Sequence, residues 1–165
     1  MQNTRIIQPD LTHAQALIDL AKITWQHTYP GIISQEQIDY MLNLFYSQER
    51  VEQQLRDTNQ FFSAIEQDGH LQGYIHAYPE NQSIKVSKLY ILPEAQGKGF
   101  GQMLLATAEQ EAIRLHLEGI RLNVNRYNPA YHFYLKQGFV VEEEIDIPLD
   151  RFVLNDYIMF KRIGI

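Results

Sequence analysis

Cysteine is absent from the 165 residues, which excludes disulfides, a thiolate nucleophile and cysteine-ligated metal. Long apolar runs are missing too, since none approaches the roughly 18 residues of a membrane-spanning helix. The opening MQNTRIIQPDLTHA has neither the basic nor the apolar region of an export signal, so the expectation is a cytoplasmic chain with no membrane partner. Positive charge is in short supply: 14 Lys and Arg stand against 20 Asp and Glu, a net charge of −6. That balance argues against nucleic acid as a partner and is compatible with a cationic small substrate. Repeats, low-complexity tracts and Pro/Ser-rich linkers are also lacking, which leaves residues 1–165 as one domain.

What is present alternates between two textures. Thr4 to Ile7 reads as a short strand, and Thr12 with Gln15 three residues on has the form of a capping box ahead of Leu17, Leu20 and Ala21. That helix is expected to run to about Trp25. Ser34 with Gln37, and then Ser47, start two further helices. From residue 61, FFSAIEQDGHLQGYIHAY is two strand-like runs around Asp68-Gly69, a dipeptide suited to a type I′ hairpin. In QSIKVSKLYIL the apolar parity changes, from Ile84 and Val86 to Leu89 and Ile91. A β-bulge at Ser87-Lys88 would shift the phase in this way, and a strand buried on both faces would also fit. Helical spacing returns from Phe100 to about Leu117, GIRLNVN is a strand, and NPAYHFYLKQG is a short helix with Pro129 near its start and Gly138 at C′. GFVVEEEI and FVLNDYIMF close the chain as strands. This order specifies an α+β fold, with helices packed on one twisted sheet.

The stretch EAQGKGFGQMLL places three glycines in five positions between a strand and a helix. Glycine there costs about 0.5 to 1 kcal/mol per site, so bare amides must be useful. A Walker A loop would need a hydroxyl after Gly-Lys, and a dinucleotide fingerprint would need glycine at Gln102 or Leu104. Both patterns fail. What remains is Gln-x-x-Gly-x-Gly ahead of a helix N-terminus, an arrangement suited to a diphosphate.

LYILPEAQGKGFGQMLL resembles the acetyl-coenzyme A segment of the GNAT superfamily of N-acetyltransferases, and NPAYHFYLKQGF is similar to that superfamily's later helix. The element order matches along essentially the whole chain. The resemblance implies a mixed, mostly antiparallel sheet of about seven strands flanked by helices, with acetyl-CoA as cosubstrate. By position it implies that Leu89, Tyr90 and Ile91 offer backbone groups to the pantetheine arm and acetyl carbonyl. Gln96, Gly97, Lys98, Gly99, Phe100 and Gly101 would surround the pyrophosphate, and Asn128 would touch the cofactor arm. One departure is that Tyr127 holds the place, three residues before the alanine, where the family pattern has its Asn. Tyr134 matches the tyrosine that protonates or hydrogen-bonds the departing thiolate; packing with Phe133 and Phe139 is its alternative role. A homodimer is also common in the superfamily.

The base is left open. Many relatives carry Glu on the fourth strand where Lys85 and Ser87 stand here, so Glu94, Asp156 or a histidine would act through water. His27, His70, His76 and His132 show no metal-ligand spacing, and no metal is expected. TWQHTYPGIISQEQIDYML resembles the same region of bacterial spermidine/spermine N-acetyltransferases, with Trp25 and Tyr29 walling a pocket. Asp39 and the Glu142–Glu144 run would suit a polycation, although such a run is usually a solvated face. The expected activity is acetyl transfer to a primary amine, either a small molecule such as a polyamine or a peptide amino group. The missing strand carboxylate supports a rival reading, a non-catalytic acyl-CoA sensor.

Overall fold

Asp68 and Gly69 turn the chain at φ values of 52° and 84°, the left-handed pair that a type I′ turn demands. They join β2 (Phe61–Gln67) to β3 (His70–Glu80). The computed structural model describes residues 3–163. Its seven-stranded sheet adds β1 (Thr4–Ile7), β4 (Ser83–Ile91), β5 (Gly119–Asn125), β6 (Val140–Leu149) and β7 (Phe152–Arg162), in the spatial order β1-β2-β3-β4-β5-β7-β6. Every pairing is antiparallel except β4–β5. A parallel pair needs a crossover, and α4 (Phe100–Arg114) supplies it.

Helices cover both faces. α4 and α5 (Ala130–Lys136) pack on one side, where Ile75, Ile84, Val86, Leu104, Ile120, Leu122 and Met159 form the main core. On the other lie α1 (Ala14–Thr28), α2 (Gln35–Phe45) and α3 (Gln48–Arg56), with Leu17, Ile18 and Leu20 against Phe62 and Tyr74. Ser34 and Ser47 cap α2 and α3 as expected, accepting from the Gln37 and Arg50 amides at 3.1 and 3.2 Å.

The first helix begins differently. Asp10, not Thr12, is the cap: its carboxylate accepts from the Thr12 amide at 2.9 Å, and His13 Nδ1 accepts from the Asp10 amide at 3.0 Å. A carboxylate two residues earlier starts a short turn, Leu11–His13, that leads into α1, and it adds charge at the positive end, so the first capped amide is that of Thr12 itself. α1 also continues to Thr28, and α4 ends three residues before Leu117.

The phase change in β4 is a bulge. Val86 pairs with Ala77 and Lys88 with His76, so Ser87 is an extra residue. Ile84, Val86, Leu89 and Ile91 consequently all reach the α4 side, while Tyr90 joins the opposite cluster with Trp25 and Tyr46. The β4–β5 ladder stops at Val86–Leu122. Beyond the bulge the two parallel strands diverge, and the sheet opens.

Candidate active site

The opening is the floor of a cavity of about 1010 Å³, lined on one side by the glycine loop and α5 and on the other by α1–α3. From Ser87 to Ile91 the edge of β4 facing β5 has no strand partner. Leu89, Tyr90 and Ile91 line this edge, which can pair with an extended molecule as with an added strand.

The glycine loop forms the first arm. Gly97 and Gly99 have φ of 81° and 82°, and a Cβ built on either meets nothing within 4 Å. Their glycine character therefore serves conformation and open space rather than packing. Gly99 caps α4 without a side-chain bond, leaving the first-turn amides of Phe100, Gly101 and Gln102 free for an anion at the positive helix end. Gly101 is needed for a different reason: a Cβ there would lie 2.9 Å from the Phe133 ring. The Gln96 side chain donates to the Ile91 carbonyl at 3.3 Å, tying the loop to the end of β4. Phe100 is buried in the core, so only its amide faces the loop, and Lys98 is exposed outside the cavity lining.

Aromatic side chains build the junction. Trp25 donates from Nε1 to the Tyr90 hydroxyl at 3.0 Å, the Tyr46 and Tyr90 hydroxyls are hydrogen-bonded, and Trp25 stacks obliquely on Tyr29 at 4.5 Å. Tyr29 accepts from Asn128 Nδ2 at 3.2 Å, while Asn128 Oδ1 accepts from the Ala130 amide at 2.9 Å. Asn128 thus bridges α1 to the start of α5, and its side chain is already engaged. Tyr134 is buried, packed edge-on against Phe133 and Phe139, and also lines the cavity. Burial, with Tyr29 and Tyr90 adding, pushes its phenol well above the usual tyrosine range. It stays protonated, so it can give a proton but cannot act as a base.

A polar row crosses the sheet on the α1–α3 face. Lys85 on β4 donates to Asn123 on β5, and Asn123 donates to Asp156 on β7 at 3.3 Å. Asp156 lines the cavity and burial raises its pKa, opposed by Asn123, Lys85 and Arg126. Glu94 is exposed and outside the lining. His76 is held neutral, its pKa lowered to about 3 by burial and then by Lys88. His27 also lines the cavity, on the last turn of α1, whereas His70 and His132 do not. No cluster of three or more His, Asp and Glu suited to a metal occurs among the described residues.

The acidic residues named for a polycation lie elsewhere. Asp39 accepts from Gln35 and is not part of the lining. Glu142 pairs with Arg121 at 2.8 Å and Glu144 with Arg126 at 3.1 Å, on the exposed outer strand β6. Strand order explains this outcome, because β6 is an edge strand separated from β4 by β5 and β7.

Two groups are assembled only by the fold, although one member, Asp156, already stood among the candidate bases. One is the Lys85–Asn123–Asp156 row, whose members are 33 to 38 residues apart and meet only through strand register. The other is Lys88 with Arg50 and Gln54, brought together where α3 crosses β4. The single clue was a lysine at the point of the phase slip.

Comparison with known proteins accords with this geometry. Residues 32–146 match the family model described as an acetyltransferase (GNAT) domain. A spermidine N(1)-acetyltransferase from Thermoplasma acidophilum is 31% identical over 134 residues, covering 78% of this chain and 83% of the relative. An uncharacterised N-acetyltransferase from Mycobacterium bovis is 26% identical over 155 residues, 93% of this chain and 99% of the relative. Among solved structures, the PaiA N-acetyltransferase of Thermoplasma acidophilum in complex with coenzyme A superposes with a TM-score of 0.87 at 28% identity, covering 98% and 99% of the two chains. With its family model, its sheet and its diverging β4–β5 pair in agreement, the chain belongs to the GNAT acetyltransferases.

Proposed function

We propose that the protein transfers an acetyl group from acetyl-CoA to a small primary amine by direct attack, the amine entering from the α1–α3 side of the opened sheet. The observation that carries this reading is one continuous cavity joining a bare-amide loop, an unpaired strand edge and a half-buried carboxylate. Acetyl-CoA, when bound, supplies the activated thioester. The amides from Gly97 to Gln102 hold its diphosphate, and the open edge at Leu89–Ile91 aligns its arm and offers a donor to the carbonyl oxygen. Asn128 and the Trp25–Tyr29 pair shape the passage between the start of α5 and α1.

Asp156 takes the proton of the incoming ammonium. Free alkylamines titrate near 10, so a base in the cavity is needed at neutral pH, and a carboxylate raised by burial accepts a proton more readily than a solvated one. Asn123 orients it and Lys85 balances its charge. Tyr134 gives its phenolic proton to the sulfur as the carbon–sulfur bond breaks, and the second proton shed by the acylated nitrogen restores the phenol. Because Asp156 supplies a carboxylate where β4 has none, it favours the enzyme over the sensor.

The test is to mix the protein with acetyl-CoA and a panel of amines and follow free thiol. Release that depends on an amine supports transfer. Tight coenzyme binding with no release across alkylamines, polyamines, amino acids and peptides would leave the sensor as the better reading.

A further inference from the structure

Lys88 is only 6% exposed, yet no carboxylate among the described residues pairs with it. Its Nζ donates to Gln54 Oε1 at 3.0 Å and sits 4.6 Å above the Tyr46 ring. Both neighbours are neutral. An ammonium has three donors, and a buried one without an anionic partner is costly. The nearby groups add to that cost rather than relieving it: Arg50, one turn earlier on α3, disfavours the Lys88 charge, and His76 opposite is neutral. Arg50 also forms no ion pair among the described residues.

Lys88, Arg50, His76 and Gln54 all line the acceptor side of the cavity. Asp156 is the sole Asp or Glu in that lining, and Asn123 links it to Lys85. The acceptor space therefore has a cationic region on α3–β4 and a carboxylate on β7. A polycation would place ammonium groups beside Lys88 and Arg50, at a cost that grows as water is excluded. A molecule with an amine at one end and an acid group at the other meets a complementary charge at both.

We propose that Lys88, with Arg50 at its rim, receives the anionic end of the acceptor, so that the amine acetylated belongs to a short amino acid or amino acid analogue rather than to a polyamine. This rests on the reading of the cavity as an acetyltransferase acceptor site. The acid group fills the open donor positions on Lys88, and the amine is thereby directed toward Asp156 and the β4–β5 opening.

Matched acceptors test it. β-Alanine and 2-aminoethylphosphonate differ from propylamine in their acid group, and spermidine represents the polycations. In the wild type kcat/KM for the acid-bearing amines should exceed that for propylamine by about tenfold or more, with spermidine below both. In Lys88→Met, which keeps the stem volume, the ratio of β-alanine to propylamine should fall to about one, and Arg50→Gln on the exposed helix surface should lower it partway. Equal or better turnover of propylamine or spermidine, with the ratio unmoved by either variant, would overturn the assignment while leaving acetyl transfer intact. Direct binding is read without turnover by titrating propionate and methylphosphonate while following the 13Cε resonance of Lys88, assigned by its loss in Lys88→Met. A saturable shift supports the anion site; a resonance that does not move overturns it, whether or not any amine releases thiol.

Discussion

Lys88 stands opposite His76 while Val86 stands opposite Ala77, which leaves Ser87 with no counterpart on β3. This one-residue excess lets Ile84, Val86, Leu89 and Ile91 share the α4 face although their spacing changes parity. It also turns Lys88 and Tyr90 toward the acceptor side. Deleting Ser87 would leave Val86 opposite Ala77 and Lys88 opposite His76, so every side chain beyond it keeps its present face while the bulge itself is lost. The urea midpoint should therefore shift by no more than about 1 kcal/mol, whereas coenzyme A binding read by calorimetry should weaken, because the bulge is where β4 parts from β5. Ser87→Ala, which keeps the extra residue, should leave both within about 0.5 kcal/mol. Coenzyme binding to the deletion variant at wild-type strength would show that the bulge does not open the sheet.

At the glycine loop, conformation and space make separable demands. Gly97 and Gly99 hold φ values of 81° and 82° in open surroundings, so an alanine at either meets strain of about 1 to 2 kcal/mol but no clash. Gly99→Asp adds a negative charge where a diphosphate would lie, and calorimetry should register no binding of coenzyme A to this variant while its fold is retained. Gly101→Ala acts differently, forcing the Phe133 ring aside from a contact of 2.9 Å. It should weaken coenzyme binding and also lower the melting temperature. Coenzyme binding to Gly99→Asp at wild-type strength would remove the loop from the site.

How much of this was legible in the chain follows from how far each feature extends in sequence. Turns, caps and the glycine loop are local: Asp68-Gly69, Ser34, Ser47 and Gly97–Gly101 each carry their reason within about five residues, and each stands where the sequence reading put it. The parity change in β4 was legible as an anomaly, and pairing with β3 resolved it as a bulge. Thr12 was misread because two cap-competent side chains lie two residues apart and the stronger acceptor prevailed. The acidic run at Glu142–Glu144 suggested a polycation site because composition carries no information about strand order; in the sheet it lies on the far edge, paired with arginines. Asp156 and Lys88 gain their significance from neighbours more than 30 residues away, which only the assembled sheet brings together.

Tyr134 is expected to affect turnover rather than affinity. Its hydroxyl is kept protonated by burial, and its ring packs between Phe133 and Phe139, so Tyr134→Phe should preserve the fold while removing the donor. A loss of about a hundredfold in kcat with little change in coenzyme affinity is the outcome for a general acid. Wild-type kcat would assign Tyr134 to the core alone.

As the proposed base, the carboxylate at position 156 is expected to set the acidic side of the rate profile. Burial raises its pKa, so it loses its capacity to accept a proton at a higher pH than a solvated aspartate does. Activity in kcat/KM should therefore fall as pH drops through that raised value. Asp156→Asn should cost about a hundredfold or more at neutral pH, and its residual rate should rise with pH as the neutral amine becomes available from solution. A profile for Asp156→Asn parallel to the wild type would place the base elsewhere.

His76 couples protonation to stability. Burial and Lys88 lower its folded pKa from 6.5 to about 3, so between these values the unfolded chain binds a proton that the folded chain refuses. Stability contributed by this group is present above pH 6.5 and is lost as pH falls toward 3, by a total on the order of 4 kcal/mol. Lys88, with a pKa of about 8, remains charged across this window and adds no slope. Asp156, raised by burial, acts with the opposite sign at the lower end. Replacing His76 with Phe removes the titrating ring from its stack on Phe62 and its bond to Gln60. The variant should start less stable at pH 7, yet its urea midpoint should decline less between pH 6.5 and 4 than that of the wild type. Parallel declines in the two proteins would mean that another group controls acid unfolding.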